Sequence, residues 1–300
     1  MNKIYAGKVE LLLKIIPIIS QDTEFAIHGG TAINLFVKNL PRYSVDIDLT
    51  YIPIKNRQDS LYDINLKLES ITEKIKRSLK GVQVSHRKDI CKLLCGYQGK
   101  QIKIEVNKNK RGIACGDVIT MPLCDRGQEE FGLYCEANIV PKKLLYGGKV
   151  AAALSRQHPR DLFDVKYMGC SLKSIKEGIL FCLLGSDRPI YESLVPNMLD
   201  QRDAMKNQFT GMTDRVFTYE EFEETREQLI RGINSVFTEE DKKFIISFEE
   251  GIPYWAKSNY KYFQKYPSVQ WKLINTLKLK NTNHNKFTEE IKKLKMIIDK

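Results

Sequence analysis

The chain has 300 residues, enough to bury a sizeable core in one large domain or two modest ones. Its 42% hydrophobic and 28% charged residues are ordinary for a globular protein and exclude a disordered or fibrous chain. The net charge of +11 favours polyanionic partners such as nucleotides or nucleic acid, although a solvated, lysine-rich surface explains the same balance.

The first apolar stretch, residues 9–20, is rich in Leu and Ile but is interrupted by Glu10, Lys14 and Pro17. No small-residue cleavage site follows it, so we expect a buried or amphipathic helix and neither a signal peptide nor a membrane span. Seven cysteines without a Cys-x-x-Cys pair indicate reduced thiols and a cytoplasmic protein.

A strand, a glycine turn and a helix are predicted next. The apolar run at 25–28 is a short strand, the turn is Gly29-Gly30-Thr31, and residues 32–38 have helical spacing. Backbone amides at the start of this helix, together with the Thr31 hydroxyl, suit the phosphates of a nucleoside triphosphate.

Two aspartates follow in a strand of alternating polarity, residues 45–51. Because side chains two residues apart point to the same face of a strand, Asp46 and Asp48 can together hold Mg²⁺. Nucleotidyl transfer needs such carboxylates beside a phosphate-binding turn. The alternative is structural: the aspartates cap a turn or pair with Arg42.

The rest of the first lobe alternates between helix and strand patterns. A long amphipathic helix is predicted over 57–79, and strands follow around 82–85, 90–97 and 101–106. Glu105 lies in the last of these strands, and a sheet could bring it beside the two aspartates as a third metal ligand. Residues 1–140 are therefore predicted to form an α+β lobe with a mixed sheet.

From residue 141 onward the spacing is helical, so residues 141–300 are predicted to form an all-helical lobe. Lys149 and Arg156 fall on one face of its first helix. Lys149 can meet a triphosphate there, the alternative being a solvated lysine. The adjacent Gly147-Gly148, which is costly in a helix, indicates that something approaches this helix closely.

Aromatic side chains alternate with lysines between residues 254 and 272. Such a pattern suits the stacking of single-stranded bases while lysines hold phosphates. Packing of the rings in a helical core explains the same pattern.

Four blocks of the sequence are distinctive in combination. They are Ile27-His-Gly-Gly-Thr-Ala-Ile33, Arg42-Tyr-Ser-Val-Asp-Ile-Asp-Leu49, Leu145 with Lys149 and Ala152, and Arg156-Gln-His-Pro-Arg-Asp-Leu-Phe-Asp164. In these blocks, which span about residues 25–168, the chain resembles the AbiEii toxins, the nucleotidyltransferase-like members of type IV toxin–antitoxin systems. The last block is the most diagnostic.

The resemblance implies a two-lobed fold with a polymerase-beta-like core, Mg²⁺, a nucleoside triphosphate as substrate, and a cognate antitoxin encoded nearby. In related toxins the acceptor is the 3′ end of tRNA. The family's Arg-Asp-x-x-Asp block closes the site from the second lobe. Asp161 is therefore expected to orient Lys149 or Arg156, or to help deprotonate the attacking hydroxyl, with Asp164 more structural. A charge favoured by the helix dipole explains Asp161 as well.

The sequence thus predicts a cytoplasmic, magnesium-dependent toxin that transfers NMP from an NTP to RNA and releases pyrophosphate. The predicted site residues are Asp46, Asp48, Lys149 and Asp161 for catalysis, Gly29, Gly30, Thr31, Lys149 and Arg156 for the nucleotide, and Asp46, Asp48 and Glu105 for the metal. One alternative keeps the site but nucleotidylates or phosphorylates a protein. The other is a non-catalytic regulator that binds nucleic acid.

Overall fold

The computed structural model describes residues 2–298, so Met1 and the last two residues of the predicted helical lobe lie outside it. The chain divides into two compact units. The first comprises the residues up to Pro141 together with Phe209–Val216, and the second comprises Lys142–Gln208 and the residues from Phe217 onward.

A seven-stranded mixed sheet forms the centre of the first unit. Its strands are β1 (Phe25–His28), β2 (Asp46–Tyr51), β3 (Gln83–Arg87), β4 (Lys92–Tyr97), β5 (Lys100–Val106), β6 (Ile119–Pro122) and β7 (Glu136–Ile139). They lie side by side in the order β3-β4-β5-β2-β1-β7-β6. β2 runs parallel to β5, and β1 runs parallel to β7, while the other neighbours are antiparallel. The aspartate-bearing strand β2 is therefore central.

Helices cover one face of this sheet. The first unit contains α1 (Lys3–Ile19), α2 (Gly29–Thr31) with its π-helical continuation (Ala32–Val37), α3 (Arg57–Ser78), a 3-10 turn (Lys88–Ile90) and α4 (Asp125–Phe131). α1 packs against β5, and α3 packs against β3 and β4. The apolar side chains Ile102, Ile104 and Val106 of β5 are buried, whereas the polar residues between them are exposed. The opposite face of β5 is thus open to solvent.

A segment from far along the chain completes the first unit. The backbone of Met212 accepts a hydrogen bond from Tyr43 N at 2.7 Å, and the Thr213 hydroxyl donates to the Pro41 carbonyl at 2.8 Å. The helical lobe predicted from residue 141 onward therefore loses residues 209–216 to the first unit. Hydrogen bonds between residues so far apart in the chain leave no periodic pattern in the sequence from which they could be predicted.

The second unit contains helices and no strand among its described residues. They are α5 (Lys142–Arg156), α6 (Pro159–Lys166), α7 (Lys176–Leu184), α8 (Ile190–Leu194), α9 (Arg202–Ala204) with a π-helical continuation (Met205–Phe209) whose last residue belongs to the first unit, α10 (Tyr219–Val236), α11 (Glu239–Glu249), α12 (Pro267–Thr282), α13 (His284–Ile298) and 3-10 helices at Leu172–Ile175, Trp255–Lys257 and Lys261–Lys265. The predicted α+β fold class, with a mixed sheet followed by helices, is confirmed. Within residues 2–298, no helix combines the length and the apolar character needed to cross a bilayer.

Two helices of the second unit approach each other at glycines. A Cβ atom added at Gly147 of α5 would lie 2.3 Å from the backbone carbon of Gly178 in α7, and one at Gly178 would lie 1.8 Å from the Lys143 carbonyl oxygen. The close approach that the sequence indicates at Gly147 is therefore explained by α7, because backbone occupies the space that a side chain would need.

Replacing Gly147 with alanine is expected to destabilise the protein by at least about 1–3 kcal/mol, since overpacking against backbone forces the helices apart. Gly232→Ala in α10 is the matched control, because its Cβ meets only the end of the Leu172 side chain and alanine favours a helix. Urea unfolding checks both variants. Equal stability of the two alanine variants would contradict the packing argument.

Most rings of the aromatic and lysine-rich segment pack into the core of the second unit. Tyr260, Phe263 and Tyr266 are buried, and the Tyr260 and Phe263 rings stack with centroids 5.5 Å apart. Tyr254 and Trp271 remain exposed. Core packing therefore accounts for the greater part of this pattern.

Candidate active site

The two aspartates of β2 lie on the open face of the sheet. Ile47 between them is buried, whereas Asp48 is exposed and Asp46 is partly exposed. This is the arrangement that the strand period requires when one face packs on a core. Both carboxylates are therefore accessible on the same side of β2.

The glycine pair stands directly against Asp48 and the loop before it. The structure shows that Gly29 and Gly30 begin a helix at once, without an intervening turn, and that Gly29 has φ +71. A Cβ atom at Gly29 would lie 2.5 Å from Asp48 Oδ2, and one at Gly30 would lie 2.8 Å from Arg42 Nη2. Only glycine leaves room for the carboxylate beside this helix start.

Gly29→Ala is expected to lower nucleotidyl transfer by about 10- to 100-fold, because the new methyl group displaces the Asp48 carboxylate. Gly132→Ala is the matched control: Gly132 has φ +60, but a Cβ there meets nothing within 4 Å. Both variants place an alanine at a positive φ, and only Gly29→Ala brings its methyl group against another side chain. Transfer rates and urea unfolding separate the two effects, and equal activity of the two variants would contradict the account.

The Thr31 hydroxyl is buried and hydrogen-bonded to the residues that carry the site. It donates to the backbone carbonyl of Asp46 at 2.5 Å and lies 3.1 Å from Ser44 Oγ. Thr31 is only 1% exposed, and Arg42 beside it is also buried and donates to the Tyr43 carbonyl at 2.8 Å. In this structure Thr31 and Arg42 therefore hold the loop and the first residue of β2 in position.

Glu105 lies on the strand next to the aspartates. Its Cα is the register partner of Asp48, since β5 runs parallel to β2. Its carboxylate pairs with Lys92 Nζ at 2.8 Å, and Lys103 Nζ lies 3.5 Å from Asp46 Oδ2. Lysines of the same face thus contact Glu105 and Asp46.

The two aspartates suit a divalent cation that is held partly by the substrate, and they do not form a site in which protein side chains supply every ligand. Among residues 2–298 there is no group of three or more His, Cys, Asp or Glu side chains that could hold a metal. Mg²⁺ is usually bound by one or two carboxylates together with substrate phosphates, and it keeps several waters. Asp46 and Asp48, on one face beside a helix start, match that requirement. Glu105 stays a predicted ligand.

The second unit holds a buried cluster of charges at α5 and α6. Lys149 is 6% exposed, and its Nζ lies 2.9 Å from Asp161 Oδ1 and 2.9 Å from Asp164 Oδ2. Arg156 Nε and Nη2 donate to the two Asp161 oxygens at 2.5 and 3.0 Å, while the Arg156 side chain is 64% exposed. The interpretation of Lys149 as a solvated lysine is therefore wrong, because two carboxylates enclose its ammonium group.

Local sequence explains how this cluster forms. His158 caps α6 by accepting from Arg160 N at 3.1 Å, and Pro159 occupies the first turn. Asp161 and Asp164, three residues apart, then face the same way toward α5. Asp161 contacts both Lys149 and Arg156, the two cations that it is predicted to orient.

Burial by itself raises the pKa of Asp161, but the charge of Lys149 and the hydrogen bond from Arg156 outweigh it and hold that pKa well below its usual range. Since the folded pKa is depressed, this carboxylate contributes stability above its unfolded value of about 3.9, and the contribution is lost as the pH falls toward the folded pKa. We expect the unfolding free energy of Asp161→Asn to depend less steeply on pH below about 4 than that of the wild type. Urea unfolding at a series of pH values measures both proteins. If their unfolding free energies fell in parallel below pH ~4, the assignment of this pKa would be contradicted.

The lysine partners of the carboxylates were not predicted as site residues. Lys103 alternates with Glu105 in β5, so the strand period already places it on the same face. Lys92 could not be found in this way, because its position depends on the pairing of β4 with β5.

Comparisons with known proteins identify the family and a similar fold. The family model for the nucleotidyltransferase AbiEii toxin of type IV toxin–antitoxin systems matches residues 10–275. Among solved structures, the chain is similar to MenT4, a nucleotidyltransferase toxin from Mycobacterium tuberculosis, with 13% sequence identity and a TM-score of 0.61. The match covers 91% of this chain and 93% of the MenT4 chain, and at that identity it supports the fold. The comparison with curated proteins gives no match.

The family model covers most of the chain, including β2, the glycine helix start and the α5–α6 charge cluster. The resemblance carried by the sequence blocks is thereby confirmed. This chain belongs to the AbiEii family of nucleotidyltransferase toxins, which are components of type IV toxin–antitoxin systems.

Proposed function

We propose that the protein is a magnesium-dependent toxin that transfers NMP from a nucleoside triphosphate to the 3′ end of a tRNA and releases pyrophosphate. The observation that supports this most strongly is the Asp46 and Asp48 pair, which lies on the open face of β2 against the start of a helix at Gly29. Carboxylates and unpaired helix amides are the two groups that a metal-bound triphosphate needs.

In this proposal Asp46 and Asp48 hold the Mg²⁺. Glu105 on the neighbouring strand joins them as a third carboxylate only by giving up its contact with Lys92. The metal, when bound, neutralises phosphate charge and favours departure of pyrophosphate. Backbone amides from Gly29 onward contact the triphosphate, and Thr31 keeps the first residue of β2 in place. The acceptor oxygen bonds to the α-phosphorus while the bond from that phosphorus to the pyrophosphate oxygen breaks, and the proton of the acceptor hydroxyl passes to solvent.

The α5–α6 cluster supplies the cations of the proposed reaction. Arg156 has an exposed guanidinium that Asp161 fixes through two hydrogen bonds, so it is suited to contact phosphate. Lys149 is a second cation of the same cluster, and its ammonium group contacts Asp161 and Asp164. We assign catalytic roles to Lys149 and Asp161 from the family resemblance, and these contacts support the assignment.

The acceptor and the partner follow from charge and family. A net charge of +11 favours a polyanionic acceptor such as tRNA. Membership of a type IV system implies a cognate antitoxin. We place the reaction in the cytoplasm, where tRNA occurs and where seven cysteines without a disulfide remain reduced.

Labelled nucleotides test the proposal. The protein is incubated with Mg²⁺, total RNA and a proteome extract, and with each NTP labelled in turn on the α- or the γ-phosphate. We expect the α-label alone to enter the RNA pool, at 3′ ends that sequencing identifies as tRNA, and Asp46→Ala to abolish it. Label in protein would support protein nucleotidylation, and γ-label would support a kinase. Absence of labelling, with unchanged toxicity of Asp46→Ala, would support the non-catalytic regulator.

A further inference from the structure

The face of the sheet that bears the aspartates continues beyond them across three further strands. On β5, β4 and β3 the side chains alternate, so that one set packs on the core and the other set lies on the open face. The open set has no aromatic member and consists of Gln101, Lys103, Glu105, Lys92, Leu94, Gly96, Gln83, Ser85 and Arg87.

The strand register arranges this open set in rows. One row runs from Asp48 through Glu105 and Lys92 to Arg87, and each residue is the Cα partner of the next. With neighbouring strands about 4.8 Å apart, Arg87 lies about 14 Å from Asp48 along the row. The surface therefore leads directly away from the predicted site for the metal and the triphosphate.

Charge changes along these rows. Near β2 the lysines are engaged with carboxylates: Lys103 lies 3.5 Å from Asp46, and Lys92 lies 2.8 Å from Glu105. Arg87, on the outermost strand, is exposed and has no acidic partner among residues 2–298. The acidic residues of these rows thus end at β5, and Arg87 is the cation at their outer end.

The geometry points to this open face of β5, β4 and β3 as the track of the acceptor RNA strand. Its phosphates bind Arg87 and, in exchange for the carboxylates that Lys92 and Lys103 contact in this structure, these two lysines as well. This inference rests on the proposed function and specifies where its acceptor binds. Lys92 and Arg87 are neighbours in one row and Lys103 lies in the next row, with the Gln101 and Gln83 amides and the Ser85 hydroxyl on the same face. Cations spaced in this way among polar groups match a phosphodiester backbone. Without an aromatic ring there is no platform for base stacking, so the track binds single-stranded RNA without reading its sequence.

Arg87→Gln tests the track, with Arg77→Gln as its matched control. Arg77 is an exposed arginine in the last turn of α3, the helix that packs on the other face of the sheet. Binding of a short single-stranded RNA with a 5′ fluorophore is measured by anisotropy in the full-length protein, without NTP, from about 50 to about 200 mM KCl.

We expect Arg87→Gln to weaken RNA binding about three- to tenfold at low salt. The slope of log affinity against log salt should fall by about 0.7, the value for one phosphate contact to a single strand. The KM for RNA should rise with little change in kcat, and homopolymeric and mixed RNAs should respond alike. Arg77→Gln should leave all of these values near those of the wild type.

Equal affinities and slopes for the two variants would overturn the inference. Increased aggregation of Arg87→Gln with unchanged RNA binding would also overturn it, because the arginine would then only protect the edge strand β3 from pairing. Failure of the proposed function gives a different result, namely no transfer of α-label by the wild type. A protein acceptor would appear as label in protein together with RNA binding that is indifferent to Arg87.

Discussion

Asp48→Asn is expected to abolish nucleotidyl transfer and to leave the fold intact. The substitution keeps the size of the side chain and removes the charge that a divalent cation requires, so we expect kcat to fall at least about a thousandfold, equivalent to roughly 4 kcal/mol of activation free energy. Because Asp48 is exposed, the unfolding free energy should change by less than about 0.5 kcal/mol. Transfer of α-labelled NMP at saturating NTP and RNA measures the rate, and urea unfolding measures the stability.

Asp117→Asn provides the control for the charge change, since Asp117 is exposed in a loop of the same unit. Its rate should equal that of the wild type. The transfer rate of Glu105→Gln should lie between those of Asp48→Asn and Asp117→Asn, with a loss of about 10- to 100-fold. The Glu105 carboxylate lies one strand away from Asp48 and pairs with Lys92. An Asp48→Asn enzyme that keeps a tenth of the wild-type rate would show that the chemistry does not depend on this strand.

The second large effect concerns Lys149. Lys149→Met removes the ammonium group that lies between Asp161 and Asp164, so both buried carboxylates lose this ion pair while Asp161 keeps Arg156. Removing one member of a buried ion pair commonly costs about 3–5 kcal/mol, because the remaining charge is left uncompensated. We therefore expect a loss of stability of this order, measured by urea unfolding, together with a loss of transfer activity.

Two comparisons isolate the cause of that loss. Lys142→Met makes the same change at an exposed position of α5 and should alter stability by less than about 0.5 kcal/mol. In the background of Lys149→Met, Asp164→Asn removes the negative charge of a buried carboxylate that has lost its ion pair with Lys149, and it should recover part of the lost stability. If Lys149→Met proved as stable as Lys142→Met, the buried charge cluster would not hold α5 and α6 together.

The local part of the site could be predicted from the sequence. The period of a strand places Asp46 and Asp48 on one side as soon as Ile47 is recognised as a core residue, and the structure shows this arrangement. The helix that follows Gly29 was also expected, although its π-helical continuation was not. These features depend on neighbouring residues, which is the range over which sequence patterns carry information.

The pairing of distant strands could not be predicted in the same way. Glu105 reaches its position through the parallel pairing of β2 with β5, and α3 and a β-hairpin separate these strands in the chain. β6 and β7 escaped prediction because each has only four residues, and β6 is largely exposed, so neither shows a clear apolar pattern.

Burial of a charge is equally invisible in a helical pattern. The spacing of Lys149 on α5 fits a surface position, and only the packing of α6 against α5 encloses it between two aspartates. Similarly, Gly147 indicated a close neighbour but could not reveal that the neighbour is the backbone of α7.

Anomalous diffraction tests the central assignment most directly. Crystals of the wild-type protein would be grown with Mn²⁺ and a non-hydrolysable NTP analogue, and data would be collected at the manganese edge. The account predicts a manganese peak bound by the carboxylates of Asp46 and Asp48, with the triphosphate against the backbone from Gly29 to Thr31. A nucleotide and metal bound at another surface, with these two carboxylates uninvolved, would contradict it.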